Sequence, residues 1–138
     1  MLKSNDWKVL VPVFMILAVL LFSGCSERPA GSNQTQSTHN PTAQEILSEN
    51  PGADLIQVKG IVYKNASDID GVKNKHWTVG KKVDTVTGHL EKGESFADGM
   101  ATKLPIGTSI YEPNEKSGPI LIVVVHGNLV PYLGMVEG

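Results

Sequence analysis

Cysteine and arginine are nearly absent from this chain, which contains one of each, Cys25 and Arg28. A single cysteine excludes a disulfide bond within the chain. Arg28 lies in a polar segment near the N-terminus, so the C-terminal part has no guanidinium group for bidentate recognition of phosphate or carboxylate. An odd thiol in an exported protein is an intermolecular link, a reactive group or a modified residue.

Charge is also scarce and nearly balanced. Charged residues make up 19% of the chain, and 12 basic against 14 acidic residues give a net charge of −2. Nucleic-acid binding requires clustered Lys and Arg, and electrostatic adhesion to anionic lipid requires a polybasic segment. The composition therefore predicts no nucleic-acid partner and no purely electrostatic attachment to a membrane.

The N-terminus carries the one long apolar run. Lys3 and Lys8 precede residues 9–22, which are 14 consecutive non-polar residues, and Ser23 and Gly24 follow. A cationic start, a short apolar core and small residues at its end are typical of a secretory signal. The alternative is an uncleaved transmembrane helix, but a span needs about 20 apolar residues. We predict a signal peptide over residues 1–24.

The motif "FSGC", residues 22–25, resembles the lipobox of bacterial lipoproteins, although Phe22 stands where that family usually has Leu. The resemblance implies that a diacylglycerol is attached to the sulfur of Cys25 and that the chain is cut before Cys25. It also implies a lipid-anchored protein on the extracytoplasmic face of the cell membrane. Ordinary signal cleavage that leaves a free thiol is the alternative.

A polar tether follows the cysteine. Residues 25–41 contain no large apolar side chain and are rich in Ser, Thr, Asn and Gln. Such a segment cannot bury enough apolar surface to offset its ordering entropy, so we expect a flexible tether there. The remaining residues, 42–138, form the predicted globular domain.

The pattern of that domain predicts a β-rich α+β fold. Thr42 to Glu45 has the T-x-x-E spacing of a capping box, which predicts a short helix that ends before Pro51. Further patterns predict a second short helix and about five strands in a curved antiparallel sheet or small barrel. The expected helix covers 67–77, and the expected strands cover 53–65, 82–91, 108–112, 120–125 and 129–137. A tight turn is expected at Gly127-Asn128, and Pro131 is expected at a sheet edge or a bulge.

Three stretches of the domain, "DLIQVKGIVYKNASD", "MATKLPIGTSIYE" and "YLGMVEG", resemble small lipoproteins of spore-forming Gram-positive bacteria that have no assigned function. This resemblance covers roughly residues 54–138. It supports the expectation of an anchored protein on the outer face of the cytoplasmic membrane, and it brings no catalytic motif with it.

Residues with catalytic or metal-binding chemistry are few and scattered. His76, His89 and His126 lack a metal-ligand spacing, and the Asp68-x-Asp70 pair lacks the flanking ligands of a calcium loop. No phosphate-binding loop or nucleophile elbow is present. We therefore predict no catalytic residue, no metal site and no cofactor.

One loop has the composition of a binding element. Residues 93–107 carry three large apolar side chains, Phe96, Met100 and Leu104, and loops on a rigid sheet often carry recognition. The alternative is that these three side chains pack beneath the loop as part of the core.

The sequence favours a non-enzymatic binding module of the cell envelope, anchored to the membrane through Cys25. Its partner would be an envelope protein or a wall component. Two alternatives remain: a small envelope enzyme that uses His and carboxylate side chains, and an accessory or regulatory subunit of a transporter or sensor.

Overall fold

A computed structural model describes residues 39–91 and 94–137 of the chain. The predicted signal peptide, Cys25 and all of the tether before His39 lie outside the described residues. Within them, one helix, α1, spans Ala43–Glu49. The strands are β1 (Leu55–Val58), β2 (Ile61–Asn65), β3 (Val79–Thr85), β4 (Gly88–His89), β5 (Met100–Ala101), β6 (Ser109–Pro113), β7 (Ile120–Val125) and β8 (Asn128–Gly134). No helix in this part of the chain has the length and hydropathy that a membrane span requires.

The eight strands form one strongly curled half-barrel sheet in the order β3-β6-β7-β8-β2-β1-β5-β4. The β-rich class and the strong curvature are confirmed. The expected count of about five strands is wrong, and so is the expected all-antiparallel pairing, because β4 pairs with β5 in parallel. One short helix is present in the described part.

The two edges of the sheet are parts of a single extended segment. The sequence predicts one strand over 82–91, but β3 and β4 are separated by Val86 and Thr87, where the backbone changes partner. The amide of Val86 donates to the carbonyl of Thr108 beside β6 at 2.8 Å, and the amide of Thr87 donates to the carbonyl of Gly99 beside β5 at 2.8 Å. The segment therefore passes from one edge of the half-barrel to the other.

One of the three additional strands comes from a tight hairpin turn, and the other two are β4, which is split from β3, and β5. The expected strand over 53–65 is two strands, because Lys59 and Gly60 have φ of 51° and 75° and connect β1 to β2 as a two-residue turn. Positive φ at both central positions is the type I′ geometry that matches the twist of paired strands. The β7–β8 turn is built in the same way by His126 and Gly127, one residue earlier than expected.

Pro131 lies in an interior strand, not in an edge strand. It pairs with Ile122 of β7, and its carbonyl accepts from the amide of Ala66 at 2.9 Å. The pairing of β8 with β2 ends at Asn65, which lies opposite Tyr132, the residue after Pro131. Because the pairing ends there, the missing amide proton of Pro131 removes no hydrogen bond between the two strands. The expectation of a sheet edge or a bulge at Pro131 is therefore wrong, because β8 lies between β7 and β2 and its register with β7 is regular.

The segment over 67–77 contains turns where a helix is expected. Its backbone bonds include Ile69 to the Ala66 carbonyl and Val72 to the Ile69 carbonyl, which are one-turn contacts. Gly71 has φ of 82°, a left-handed conformation that interrupts a right-handed helix. Trp77 closes the segment, because its indole Nε1 donates to the carbonyl of Val72 at 3.0 Å.

The sheet buries apolar side chains on both faces. The concave interior holds the larger cluster, in which Tyr132 and Ile110 are fully buried. The opposite face of β1 and β2 carries Leu55 and Val62, which are covered by α1 through Ala43. The two faces follow from the alternation of side chains along each strand.

The predicted capping box of α1 is confirmed. The hydroxyl of Thr42 accepts from the amide of Glu45 at 3.3 Å, and the carboxylate of Glu45 accepts from the amide of Thr42 at 2.7 Å. The amide and the hydroxyl of Thr42 both donate to this carboxylate, and together with a smaller contribution from His39 they hold the pKa of Glu45 below its usual value. The helix therefore begins where the T-x-x-E spacing predicts.

Candidate functional site

A cleft of about 490 Å³ lies against the turn between β6 and β7. We call it the Tyr63 cleft. It is lined by Tyr63, residues 112–119, Ile120 and Leu121. Its floor is apolar and buried, and its rim is polar.

The floor depends on a close approach between three elements. Tyr63 of β2 pairs with Gly134 of β8, and the amide of Gly134 donates to the carbonyl of Pro119 at 2.6 Å. A Cβ atom on Gly134 would lie 3.0 Å from Cε1 of Tyr63 and 2.9 Å from Cβ of Pro119. Glycine at this position therefore lets the turn pack on the tyrosine ring.

The rim is held in place by Thr78, the residue before β3. Its hydroxyl donates to one carboxylate oxygen of Glu115 at 2.7 Å, and its amide donates to the other at 3.0 Å. The side-chain amide of Asn114 donates to the same hydroxyl at 3.1 Å. The hydrogen bonds from Thr78 lower the pKa of Glu115, so this carboxylate remains charged at neutral pH.

Tyr63 supplies an available polar group at the floor. The residue is only 9% exposed, and its hydroxyl has no hydrogen-bond partner among the described residues. Burial, followed by the negative charge of Glu112, raises the pKa of Tyr63. The phenol therefore remains neutral at physiological pH and is able to donate or accept a hydrogen bond.

A second, smaller concavity of about 220 Å³ lies between the 67–77 segment and the start of β8. We call it the Trp77 groove. The indole N–H of Trp77 is already used by Val72, and the ammonium group of Lys75 lies 4.7 Å from the ring centroid. Both the polar edge and one face of the indole therefore have partners within the protein.

A partly buried polar cluster connects β2 and β8 to Asp54, the residue before β1. The hydroxyl of Tyr132 and the side-chain amide of Asn65 both donate to Oδ2 of Asp54, each at 2.9 Å. Burial raises the pKa of Tyr132, and the negative charge of Asp54 raises it further. This arrangement positions β8 against β1 and β2 and lies in the interior, away from the cleft lining.

The loop residues proposed from the sequence point inward. Phe96 is 8% exposed in the cluster beneath α1, and Leu104 is 5% exposed in the interior of the half-barrel. Met100 is partly buried against the α1 cluster. These three side chains do not form an exposed apolar lip, so their placement matches the alternative that they belong to the core. Cys25 lies outside the described residues.

The histidines in the domain are exposed and separate. Nε2 of His89 donates to the carbonyl of Leu104 at 2.6 Å, and neither His76 nor His126 contacts a carboxylate among the described residues. No group of three potential metal ligands occurs in that part of the chain. Asp70 forms an ion pair with Lys73 at 2.6 Å.

Sequence reasoning missed the Tyr63 cleft because its lining comes from strands that are distant in the chain. The segment "EPNEKSGP", residues 112–119, reads as a polar turn, and Tyr63 reads as a strand residue. Two prolines, Pro113 and Pro119, mark the ends of this turn in the sequence. Nothing in the spacing indicates that the turn packs on Tyr63.

Comparison with protein-family models gives no match for this chain, and neither curated proteins nor solved structures match it. The functional assignment therefore depends on the residues and geometry described above.

Proposed function

We propose that this chain is a bacterial lipoprotein anchored to the cell membrane through Cys25. Its β-rich domain would lie on the extracytoplasmic side and act as a non-enzymatic binding module of the cell envelope. The partner is an envelope protein or a wall component, and the binding site is the Tyr63 cleft.

The observation that carries the binding proposal is the available hydroxyl of Tyr63 at the floor of the larger cleft. Ligand sites in proteins are typically concave and mostly apolar, with a few polar groups that fix orientation. The Tyr63 cleft combines an apolar floor at Leu121 with a rim in which polar residues such as Glu112 predominate. The Trp77 groove is smaller, and its indole N–H already has a partner.

Replacing Cys25 by serine tests the anchor. A diacylglycerol provides two acyl chains, and two chains give stable attachment where one gives only marginal binding. We expect wild-type cells to incorporate labelled fatty acid into the protein, which fractionates with membranes. The Cys25→Ser chain should incorporate no label and remain an uncleaved precursor. A Ser23→Ala chain is the control, because it keeps a small residue and the sulfur, and it should be labelled normally. Labelling of Cys25→Ser would contradict the lipoprotein proposal.

Site-specific photo-crosslinking in intact cells tests the binding module. A photoreactive amino acid replaces Ser117 at the rim of the Tyr63 cleft, and in a matched chain it replaces Ser67 at the Trp77 groove. We expect a discrete adduct from position 117, formed only on irradiation, and none from position 67. The identity of the adduct separates an envelope ligand from a transporter or sensor to which this chain is an accessory.

Two outcomes would count against this assignment. An adduct from position 67 without one from position 117 would move the site to the Trp77 groove. No adduct from either position, with both proteins folded and anchored, would contradict the binding-module proposal.

A further inference from the structure

The Tyr63 cleft has a chemical preference that follows from its lining. Its floor is apolar at Leu121, whose side chain is 6% exposed and belongs to the interior cluster. The ring of Tyr63 and the ring of Pro119 complete this surface beside Gly134. A ligand that enters the cleft therefore gains by presenting an apolar portion of a few carbon atoms.

The charged groups at the rim are predominantly acidic. Two carboxylates, Glu112 and Glu115, and one ammonium group, Lys116, line the cleft. Lys75 reaches the same turn from the 67–77 segment, and its Nζ donates to the carbonyl of Lys116 at 3.4 Å. Lys75 also lies over the ring of Trp77, so it is directed away from the floor of the cleft.

The two carboxylates have different surroundings. Both oxygens of Glu115 accept hydrogen bonds from Thr78, so this side chain is occupied in holding the turn. The side chain of Glu112 has no hydrogen bond or ion pair among the described residues, and Glu112 lines the same cleft as Tyr63. The cleft lining therefore contains one carboxylate and one hydroxyl that have no hydrogen-bond partner among the described residues.

We propose that the Tyr63 cleft binds ligands through a primary ammonium group carried on a short apolar stem. The ammonium group donates hydrogen bonds to the carboxylate of Glu112 and to the hydroxyl oxygen of Tyr63, and the stem packs on Leu121 and Pro119. An ammonium group has three donors and no acceptor, which fits two acceptors that lack partners. This inference rests on the proposed function, because it assigns a ligand class to the same cleft.

The test is a titration of the full-length chain in neutral detergent, followed by heteronuclear NMR. The probe is n-butylammonium chloride, and the matched probes are 1-butanol and sodium butyrate at equal ionic strength. We expect saturable shifts at the amides of residues 112–121 and Gly134 with n-butylammonium only. Equal binding of 1-butanol would overturn the proposal, because the apolar stem would then be sufficient.

Three variants make the test specific to the carboxylate and the hydroxyl. Glu112→Gln should raise the Kd for n-butylammonium about threefold to fivefold, which is the range expected for a partly exposed charge pair. Tyr63→Phe should also raise it, with the spectrum of the remaining domain unchanged. Glu49→Gln, at the end of α1, removes the same charge at a distance and should leave the Kd unchanged. Equal affinities of wild type and Glu112→Gln would overturn the proposal.

The result is separable from the outcome of the crosslinking experiment. An adduct from position 117 together with no binding of n-butylammonium would keep the binding module and overturn the ligand class. No adduct and no binding would overturn both.

Discussion

Replacing Tyr132 by alanine should lower the free energy of unfolding by about 3–5 kcal/mol, which is the range for truncating a large buried aromatic side chain. Tyr132 is 0% exposed and lies in the interior cluster of the half-barrel. Its loss leaves a cavity among Leu121, Ile56 and their neighbours, and it removes a donor to the partly buried carboxylate of Asp54. Urea denaturation of the full-length chain in neutral detergent measures the change.

Two further variants separate packing from hydrogen bonding at this position. Tyr132→Phe keeps the ring and removes only the bond to Asp54, so we expect a smaller loss of about 1–3 kcal/mol. Tyr111→Ala truncates a half-buried tyrosine that pairs with Ile122 on the opposite face of the sheet, and it should also cost less than Tyr132→Ala. Equal losses for Tyr132→Ala and Tyr111→Ala would show that the interior cluster is not the main source of stability.

Replacing Gly134 by alanine should lower the free energy of unfolding by about 1–3 kcal/mol, the usual cost of adding a methyl group to a packed site. The new Cβ would lie 2.9 Å from Cβ of Pro119 and 3.2 Å from its carbonyl oxygen, and the backbone of the turn cannot move away as a flexible side chain does. The turn must therefore shift away from Tyr63. Thermal unfolding of the variant measures the loss of stability, and NMR shifts at residues 112–121 report the displacement of the turn.

Gly118→Ala is the matched control for this variant. Gly118 lies in the same turn and has an ordinary backbone conformation, and a Cβ atom added there would meet no heavy atom within 4 Å. We expect little change in stability and no shift of Tyr63. A loss at Gly118 equal to that at Gly134 would indicate that the turn itself, and not its contact with Tyr63, is sensitive to substitution.

The sequence predicts local structure well where a local interaction determines it. The capping box of Thr42 and Glu45 marks the start of α1, and the aliphatic run over 120–125 marks a strand whose first four residues, Ile120–Val123, are buried in the sheet. One of the three strands that the sequence does not predict has a local cause. The turn at Lys59-Gly60 needs only two residues with positive φ. The alternation of apolar and polar side chains continues through these residues, so the sequence predicts one strand where the structure has two.

The candidate site is less accessible from sequence because it is a product of tertiary packing. Tyr63 and Glu112 are 49 positions apart in the chain, and only the curl of the sheet brings the β6–β7 turn onto β2. Large apolar side chains in a loop suggest recognition, which is the signal that Phe96, Met100 and Leu104 give in the sequence. The structure directs Phe96 and Leu104 into the two clusters, where burial stabilises the fold.

The continuous segment that contains β3 and β4 has a consequence for self-association. A free sheet edge offers unpaired amides and carbonyls to another copy of the chain, and proteins commonly protect such edges with lysines and register irregularities. The outer edge formed by β3 carries exposed Lys81 and Lys82, and its pairing with β6 shifts register between Val79 and Lys82 and again before Asp84. The opposite edge, β4, is only two residues long. Neither edge is a good template for intermolecular strand pairing, so we expect that this domain does not self-associate through its sheet edges.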